Sequence, residues 1–174
     1  MKKAVLCLVI LILCLTAAFA CGGHKRYDLT EETFFLVMTN MQYYPEQYVG
    51  KTVTYDCFTY RLTDVDGQEY MCGVRKCSSG YGCNCGKDTI IGFVLNYDGV
   101  IPEPVNQSED TADKTWIHVE GTLASAQKRE IRIYAYQGDQ IDYSTVETVV
   151  FYDFDVAALS LIEDASGLAY YVTK

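Results

Sequence analysis

The apolar side chains of this chain recur at every second residue beyond position 50, and this period restricts most of the sequence to β-strands. In the first such stretch, Val53, Tyr55 and Cys57 alternate with Thr54 and Asp56. Further along, the uninterrupted apolar run over 90–95 predicts a strand that is buried on both faces. The segments with strand character are 53–61, 68–75, 89–97, 115–123, 129–136 and 145–153, and a short closing strand follows near the C-terminus.

One helix is predicted before the strands. Asp28 and Thr30 are typical helix-start residues, an apolar stripe runs from Phe34 to Tyr44, and Pro45 ends the pattern. Together the elements predict a mainly all-β fold, an OB-like small closed β-barrel with one N-terminal α-helix, because closure removes exposed strand edges. A flat sandwich is the alternative architecture.

The N-terminal residues have the pattern of an export signal. Lys2 and Lys3 precede an apolar run over 4–15, which is shorter than the ~20 residues that a membrane span requires. Ala18-Phe19-Ala20-Cys21 follows, and a cut before Cys21 leaves a sulfur that can be acylated. The alternative is an Ala-x-Ala site whose cleavage releases a soluble secreted protein.

These features predict the domain organisation. We expect a signal peptide at 1–20, a lipid-anchored linker at 21–27 and a single OB-like domain at 28–174. The mature chain of about 150 residues is long enough for one domain with a core. We expect an extracytoplasmic protein, held on a bacterial cell membrane through Cys21.

The charge and the motifs exclude some functions. The chain carries a net charge of −9, and removal of Lys2 and Lys3 takes it to −11. Because nucleic-acid binding relies on a basic surface, we expect no nucleic-acid partner. No Ser/His/Asp order, phosphate-binding glycine loop or pair of acid and base carboxylates is evident, so we do not expect an enzyme.

A cluster of cysteines is the main candidate for chemistry. Cys72, Cys77, Cys83 and Cys85 lie within fourteen residues. As thiolates they suit zinc or monovalent copper, and the nearby cations Arg75, Lys76 and Lys87 would lower the pKa of these thiols. The alternative is a structural or protein-interaction lipoprotein domain whose cysteines form disulfides. Disulfides are common in exported proteins, and a bridge closing ~15 residues stabilises by roughly 3 kcal/mol.

The number of cysteines argues against a pure disulfide framework. With Cys21 acylated, five cysteines remain in the mature chain, and an odd number cannot pair fully within one molecule.

Three other residues are expected to have mainly structural roles. Cys57 lies mid-strand and is expected in the core. His118 is expected on a surface or in a hydrogen bond, and Trp116 either in the core or on a stacking platform.

The order of several motifs resembles the C-terminal domain of the YcgQ-like family of permease subunits. These motifs are Tyr44-Pro45-Glu46-Gln47-Tyr48-Val49-Gly50-Lys51-Thr52-Val53, Phe58-Thr59-Tyr60-Arg61, Arg75, Cys83-Asn84-Cys85-Gly86-Lys87-Asp88 with Ile91-Gly92-Phe93, and Trp116-Ile117-His118-Val119-Glu120-Gly121-Thr122-Leu123. The resemblance covers most of 44–123 and, more loosely, 145–172. It implies an OB-like domain that acts beside a multi-spanning permease.

The hallmark of that family is an arginine followed by adjacent cysteines and an acidic residue. The resemblance places it on Arg75, Cys83, Cys85 and Asp88, and we expect Arg75 and Asp88 to form an ion pair that holds the cysteine loop. This chain departs from the pattern because Asn84 separates the two cysteines. It also has extra cysteines and a cleavable leader in place of N-terminal membrane spans.

Overall fold

A single sheet and one helix make up the computed structural model, which describes residues 25–77, 89–105, 113–137 and 140–172. Within these ranges no helix is both long enough and apolar enough to cross a membrane. The elements in chain order are β1 (Arg26–Asp28), α1 (Glu31–Tyr43), a 3-10 turn (Pro45–Gln47), β2 (Thr52–Thr63), β3 (Glu69–Cys77), β4 (Thr89–Asn96), β5 (Trp116–Gln137), β6 (Gln140–Leu161) and β7 (Tyr171–Val172).

Helix α1 begins and ends where the sequence predicts. The backbone N–H of Thr30 donates a hydrogen bond to Thr33 Oγ1 at 2.9 Å, which satisfies a donor at the helix start. Glu31 and Glu32 lie in the first turn, where their negative charges interact favourably with the positive end of the helix dipole. One face of the helix, carrying Phe34, Met38 and Met41, is buried against the sheet.

The sheet closes on itself in part. Its strand order is β1-β2-β5-β6-β4-β3-β7, and an additional antiparallel ladder joins β2 to β3. Five strands therefore follow one another around a partial ring, in the order β2, β5, β6, β4 and β3. In the described part of the chain they form one sheet, whereas a sandwich would have two facing sheets. The predicted mainly-β class with one helix is confirmed.

Two predicted strands are one strand in the structure. Segments 115–123 and 129–136 both belong to β5, which pairs with β6 on either side of a register shift. Leu123 faces Phe154 and Lys128 faces Tyr152, so residues 124–127 bulge out opposite Asp153. The polar bulge interrupts the alternation without ending the strand, which is why the sequence suggested a break.

Apolar residues fill both faces of the sheet. One cluster lies between the sheet and α1 and includes Tyr55, Phe93, Phe154 and Met38. The second cluster lies on the opposite face of β3 and includes Phe58, Cys72, Val74 and Trp116. Strand β4 contributes Phe93 to the first cluster and Val94 to the second, which confirms its predicted burial on both faces.

Candidate functional site

The guanidinium of Arg75 is the one charged group placed deepest in the described core. Strand β3 carries it, and its side chain is 1% exposed. Its Nε donates a hydrogen bond to the carbonyl oxygen of Asp56 at 2.8 Å. Its Nη1 and Nη2 contact the two carboxylate oxygens of Glu31 at 2.8 and 2.6 Å, a bidentate pair.

Aromatic rings cover the Arg75 guanidinium. Its central carbon lies 4.7 Å from the centre of the Phe34 ring and 5.1 Å from that of Trp116. A desolvated cation over an aromatic face gains about 2 kcal/mol. The rings and the carboxylate together stabilise a charge that would otherwise be costly to bury.

The same pair holds the C-terminal tail. Arg75 Nη1 donates to the carbonyl oxygen of Ala169 at 3.3 Å, and the Ala169 N–H donates to Glu31 Oε2 at 3.1 Å. Helix α1, strands β2 and β3, and the tail therefore meet at one ion pair. The arrangement has the character of a structural junction, since a carboxylate and two carbonyl oxygens already accept from the guanidinium.

The predicted partner of Arg75, Asp88, lies outside the described residues, as do Cys21, Cys83 and Cys85. The partner that the structure does place is Glu31, which sequence reasoning missed. Glu31 precedes Arg75 by 44 residues, and no periodic pattern relates them. The sequence feature that could have indicated Glu31 as the partner was its place, as an acidic residue in the first turn of a helix expected to pack on the sheet.

The structure separates two of the predicted metal ligands. Cys72 and Cys77 both lie on β3, five positions apart, and therefore point to opposite faces of the strand. Cys72 packs in the cluster with Trp116, and Cys77 packs in the cluster with α1. In the described part of the chain, no group of three or more His, Cys, Asp or Glu side chains could hold a metal ion.

Burial controls the acidity of the described thiols. It raises the pKa of Cys72 to about 12 and that of Cys77 to about 11. Burial also raises the pKa of Cys57, against a smaller opposing effect of the Arg75 charge. The prediction that nearby cations lower the pKa is therefore wrong for Cys72 and Cys77, because loss of hydration dominates. Among the described residues these three thiols form no disulfide, and their raised pKa values keep them protonated at neutral pH.

A buried tyrosine hydroxyl lies beside one of these thiols. The side chain of Tyr55 is fully buried, and its hydroxyl has no hydrogen-bond partner among the residues described. A Cβ atom added at Gly73 would lie 2.8 Å from Cys57 Sγ and 3.2 Å from the Tyr55 hydroxyl oxygen. The absence of a side chain at Gly73 is what admits both groups.

The remaining sequence candidates are structural. The ring of His118 is partly exposed, and its Nδ1 lies 2.6 Å from Asp56 Oδ1, which confirms a hydrogen-bonded surface histidine. Trp116 is 2% exposed and packs edge-on against Phe58, so it belongs to the core. The alternative of a stacking platform at Trp116 is wrong, because its ring is not available to a ligand.

A polar cleft of about 220 Å³ lies beside the β5 bulge, a site that sequence reasoning also missed. It is lined by Ser125, Gln127, Lys128, Arg129 and Asp153. Arg129 binds Asp153 through two contacts of 2.7 and 2.8 Å, and this hydrogen-bonded carboxylate raises the pKa of Arg129. Arg129 and Asp153 therefore neutralise each other, and Lys128 adds one positive charge to the lining.

The fold and the junction at Arg75 define a class: a small mainly-β domain whose single helix is attached to the sheet through a buried arginine–glutamate pair. The chain belongs to the DUF1980 C-terminal domain family, whose model matches residues 17–147. That match includes Glu31, Arg75 and the cysteine cluster and ends before Ala169.

A curated relative supports the same membership. The UPF0703 protein YcgQ of Bacillus subtilis (strain 168) is 23% identical over 107 residues, which cover 60% of this chain and 32% of that protein. The chain thus spans about a third of the length of this relative. No solved structure matches the chain. The resemblance to the YcgQ-like family is confirmed.

Proposed function

We propose that this chain is an extracytoplasmic lipoprotein, held at a membrane by acyl chains on Cys21, whose β domain is an accessory module for a membrane protein. One observation carries the proposal. The leader ends in Ala18-Phe19-Ala20-Cys21, and β1 begins only five residues after that cysteine, at Arg26. The domain therefore follows the expected acylation site almost directly.

The physical basis of the anchor is the burial of hydrocarbon. Each methylene that enters the bilayer contributes about 0.8 kcal/mol, and two or more acyl chains give stable attachment. The anchor would do for this chain what N-terminal spans do for the longer YcgQ-like proteins that it resembles. It would keep the domain beside a partner in the membrane.

The experiment for the anchor compares full-length chains that differ at one cysteine. We expect labelled palmitate to be incorporated into the wild-type chain and lost in Cys21→Ser. Cys7→Ser is the matched control, because Cys7 lies inside the leader and its loss should leave labelling unchanged. A mature protein that is released unlabelled would support the Ala-x-Ala alternative and contradict the anchor.

The partner implied by the YcgQ-like resemblance is a multi-spanning permease. A permease encoded beside this chain should copurify with the tagged, acylated protein from detergent-solubilised membranes. The Cys21→Ser chain should recover less of it, because an anchored module meets its partner at a higher effective concentration. Equal absence from both preparations would contradict the association.

A second candidate function is metal binding through the cysteine cluster. What supports it is the position of Cys77 at the last residue of β3, directly before the segment that contains Cys83 and Cys85. Cys72 is five residues further from that segment along the chain and lies on the other face of β3, so we expect a site formed with the segment to use Cys77. Zinc and monovalent copper are the metals that such a set of thiolates would bind.

Metal content and free thiols, counted on the same native sample, test this function. Stoichiometric zinc or copper that is lost in Cys77→Ser and Cys83→Ser, and kept in Cys72→Ser, would support the metal site. The structural alternative predicts no metal, and two or more cysteines that still resist alkylation after the sample is denatured and react only once they are reduced. A sample with neither metal nor oxidised cysteines would contradict both.

A further inference from the structure

One segment of the surface combines exposed aromatic and aliphatic side chains. It runs from Tyr43 to Lys51, and we call it the tyrosine segment. Its side chains Tyr43, Tyr44 and Val49 are 64%, 53% and 40% exposed, and the first two rings lie 6.5 Å apart. The two tyrosines are polar at the hydroxyl and apolar along the ring, and Val49 is apolar throughout, a composition that suits a boundary between water and hydrocarbon.

A lysine completes the tyrosine segment. Lys51 Nζ lies 5.9 Å from the centre of the Tyr27 ring and 5.8 Å from that of Tyr48, and these two rings lie 5.2 Å apart. Tyr27 belongs to β1, which pairs with the start of β2 through Arg26 and Thr52. The C-terminal part of the tyrosine segment, at Tyr48 and Lys51, therefore lies next to the strand at which the described chain begins.

The length of the tether decides what this surface faces. Only Gly22, Gly23 and His24 separate Cys21 from Lys25. Four extended steps span at most about 14 Å at ~3.3–3.6 Å per residue. If Cys21 is acylated at the membrane surface, the region around β1 must therefore lie within that distance of the lipid headgroups.

Charge favours the same side of the domain. The whole chain carries a net charge of −9, whereas the tyrosine segment contains one acid, Glu46, and one base, Lys51. Surface charges beyond about 8 Å are largely screened at physiological ionic strength. The segment is therefore repelled less by anionic lipid than an average part of this acidic surface.

We propose that the tyrosine segment, together with Tyr27, is the face of the domain that docks on the headgroup region of the bilayer. Tyrosine is enriched at that depth in membrane proteins because its ring is apolar and its hydroxyl stays hydrated. This inference rests on the proposed lipid anchor. It adds an orientation, in which the β5–β6 hairpin points away from the lipid.

The far end of that hairpin supplies the matched control. Tyr143 is exposed and packs against Tyr134, whereas Val49 forms a bridge to Leu123, directly before the bulge in β5. About seven paired positions of β5 separate Leu123 from Tyr134 once the bulge is left out, or roughly 23 Å at ~3.3 Å per residue.

The test uses Tyr44→Trp and Tyr143→Trp in the full-length acylated chain, reconstituted into vesicles of phosphatidylcholine and phosphatidylglycerol with brominated acyl chains. Bromine quenches tryptophan only at close range. We expect fluorescence from Tyr44→Trp to fall at least twofold relative to vesicles without bromine, and that from Tyr143→Trp to stay unchanged. Trp116 is buried and gives a constant background in both.

The outcomes separate the orientation from the anchor. Intact mass and vesicle flotation report acylation independently of fluorescence. An acylated, floating protein in which neither variant is quenched would overturn the docking and assign the segment to a protein partner. Equal quenching of both variants would overturn the orientation. A protein that is not acylated would refute the anchor, and the docking inference with it.

Discussion

The carboxylate of Glu31 and the guanidinium of Arg75 bind each other through two contacts of 2.8 and 2.6 Å. One residue lies in the first turn of the helix and the other two residues before the end of β3, so this pair sets the position of the helix on the sheet. Since Arg75 is buried and Glu31 is partly exposed, the two partners contribute unequally.

Glu31→Ala should destabilise the fold strongly. Removing the carboxylate takes away the counter-ion that the described residues give the buried Arg75 guanidinium, and breaking a buried pair in this way costs about 3 kcal/mol or more. Glu32→Ala is the control, because Glu32 is exposed in the same helical turn and should change the free energy of unfolding by less than ~0.5 kcal/mol. Urea unfolding checks both, and similar midpoints would contradict the junction.

Gly92→Ala should be strongly destabilising. A Cβ at this position would lie 2.0 Å from the carbonyl oxygen of Gly73 on the neighbouring strand, and neither backbone can move without breaking the ladder. We expect a loss of about 3 kcal/mol. Gly167→Ala meets nothing within 4 Å and should be close to neutral in the same thermal melt. Equal effects would show that β3 and β4 are not packed this closely.

Two buried tyrosines should respond oppositely to loss of the hydroxyl. Tyr55→Phe removes a hydroxyl that has no partner in the described residues, and should leave stability unchanged or raise it by about 1 kcal/mol. Tyr152→Phe removes a hydrogen bond from the hydroxyl to the carbonyl oxygen of Gln42 at 3.2 Å, and should cost about 1 kcal/mol. If Tyr55→Phe is the more damaging change, the hydroxyl has a partner.

In metal-free, reduced protein, the buried thiols should make stability fall in alkaline solution. The Cys77 pKa is raised from 9.0 to about 11 in the folded state, so above pH 9 the folded protein binds more protons than the unfolded chain. The stability that this thiol contributes is complete below pH 9 and is lost as the pH rises towards 11. Urea unfolding at a series of pH values, with Cys77→Ser as the reference, should show a flatter profile for the variant.

The same thiols should be protected from alkylation. At pH 8, iodoacetamide should label Cys57, Cys72 and Cys77 slowly in the native protein and fully after denaturation, because burial keeps these thiols protonated. Peptide mapping by mass spectrometry reads each site separately. Rapid native labelling of Cys72 would contradict its position in the core.

Local sequence patterns determined the elements of this protein. Thr30 and Pro45 mark the limits of α1, and the alternation through Val53, Tyr55 and Cys57 marks β2, because capping and side-chain period act over a few residues. The motifs that resemble the YcgQ-like family also identified the family correctly. The odd spacing of Cys72 and Cys77 already indicated opposite faces of β3, although both were expected at one ion.

Only the tertiary structure decided which distant groups meet. The pairing of Glu31 with Arg75, the closure of β2 onto β3 and the close approach of Gly92 to Gly73 each depend on how separate elements dock. The acidity of the cysteines also depended on it, because burial outweighed the cations beside them in sequence. Hydrophobic burial is not directional, so the chain's local patterns choose its elements while packing chooses their partners.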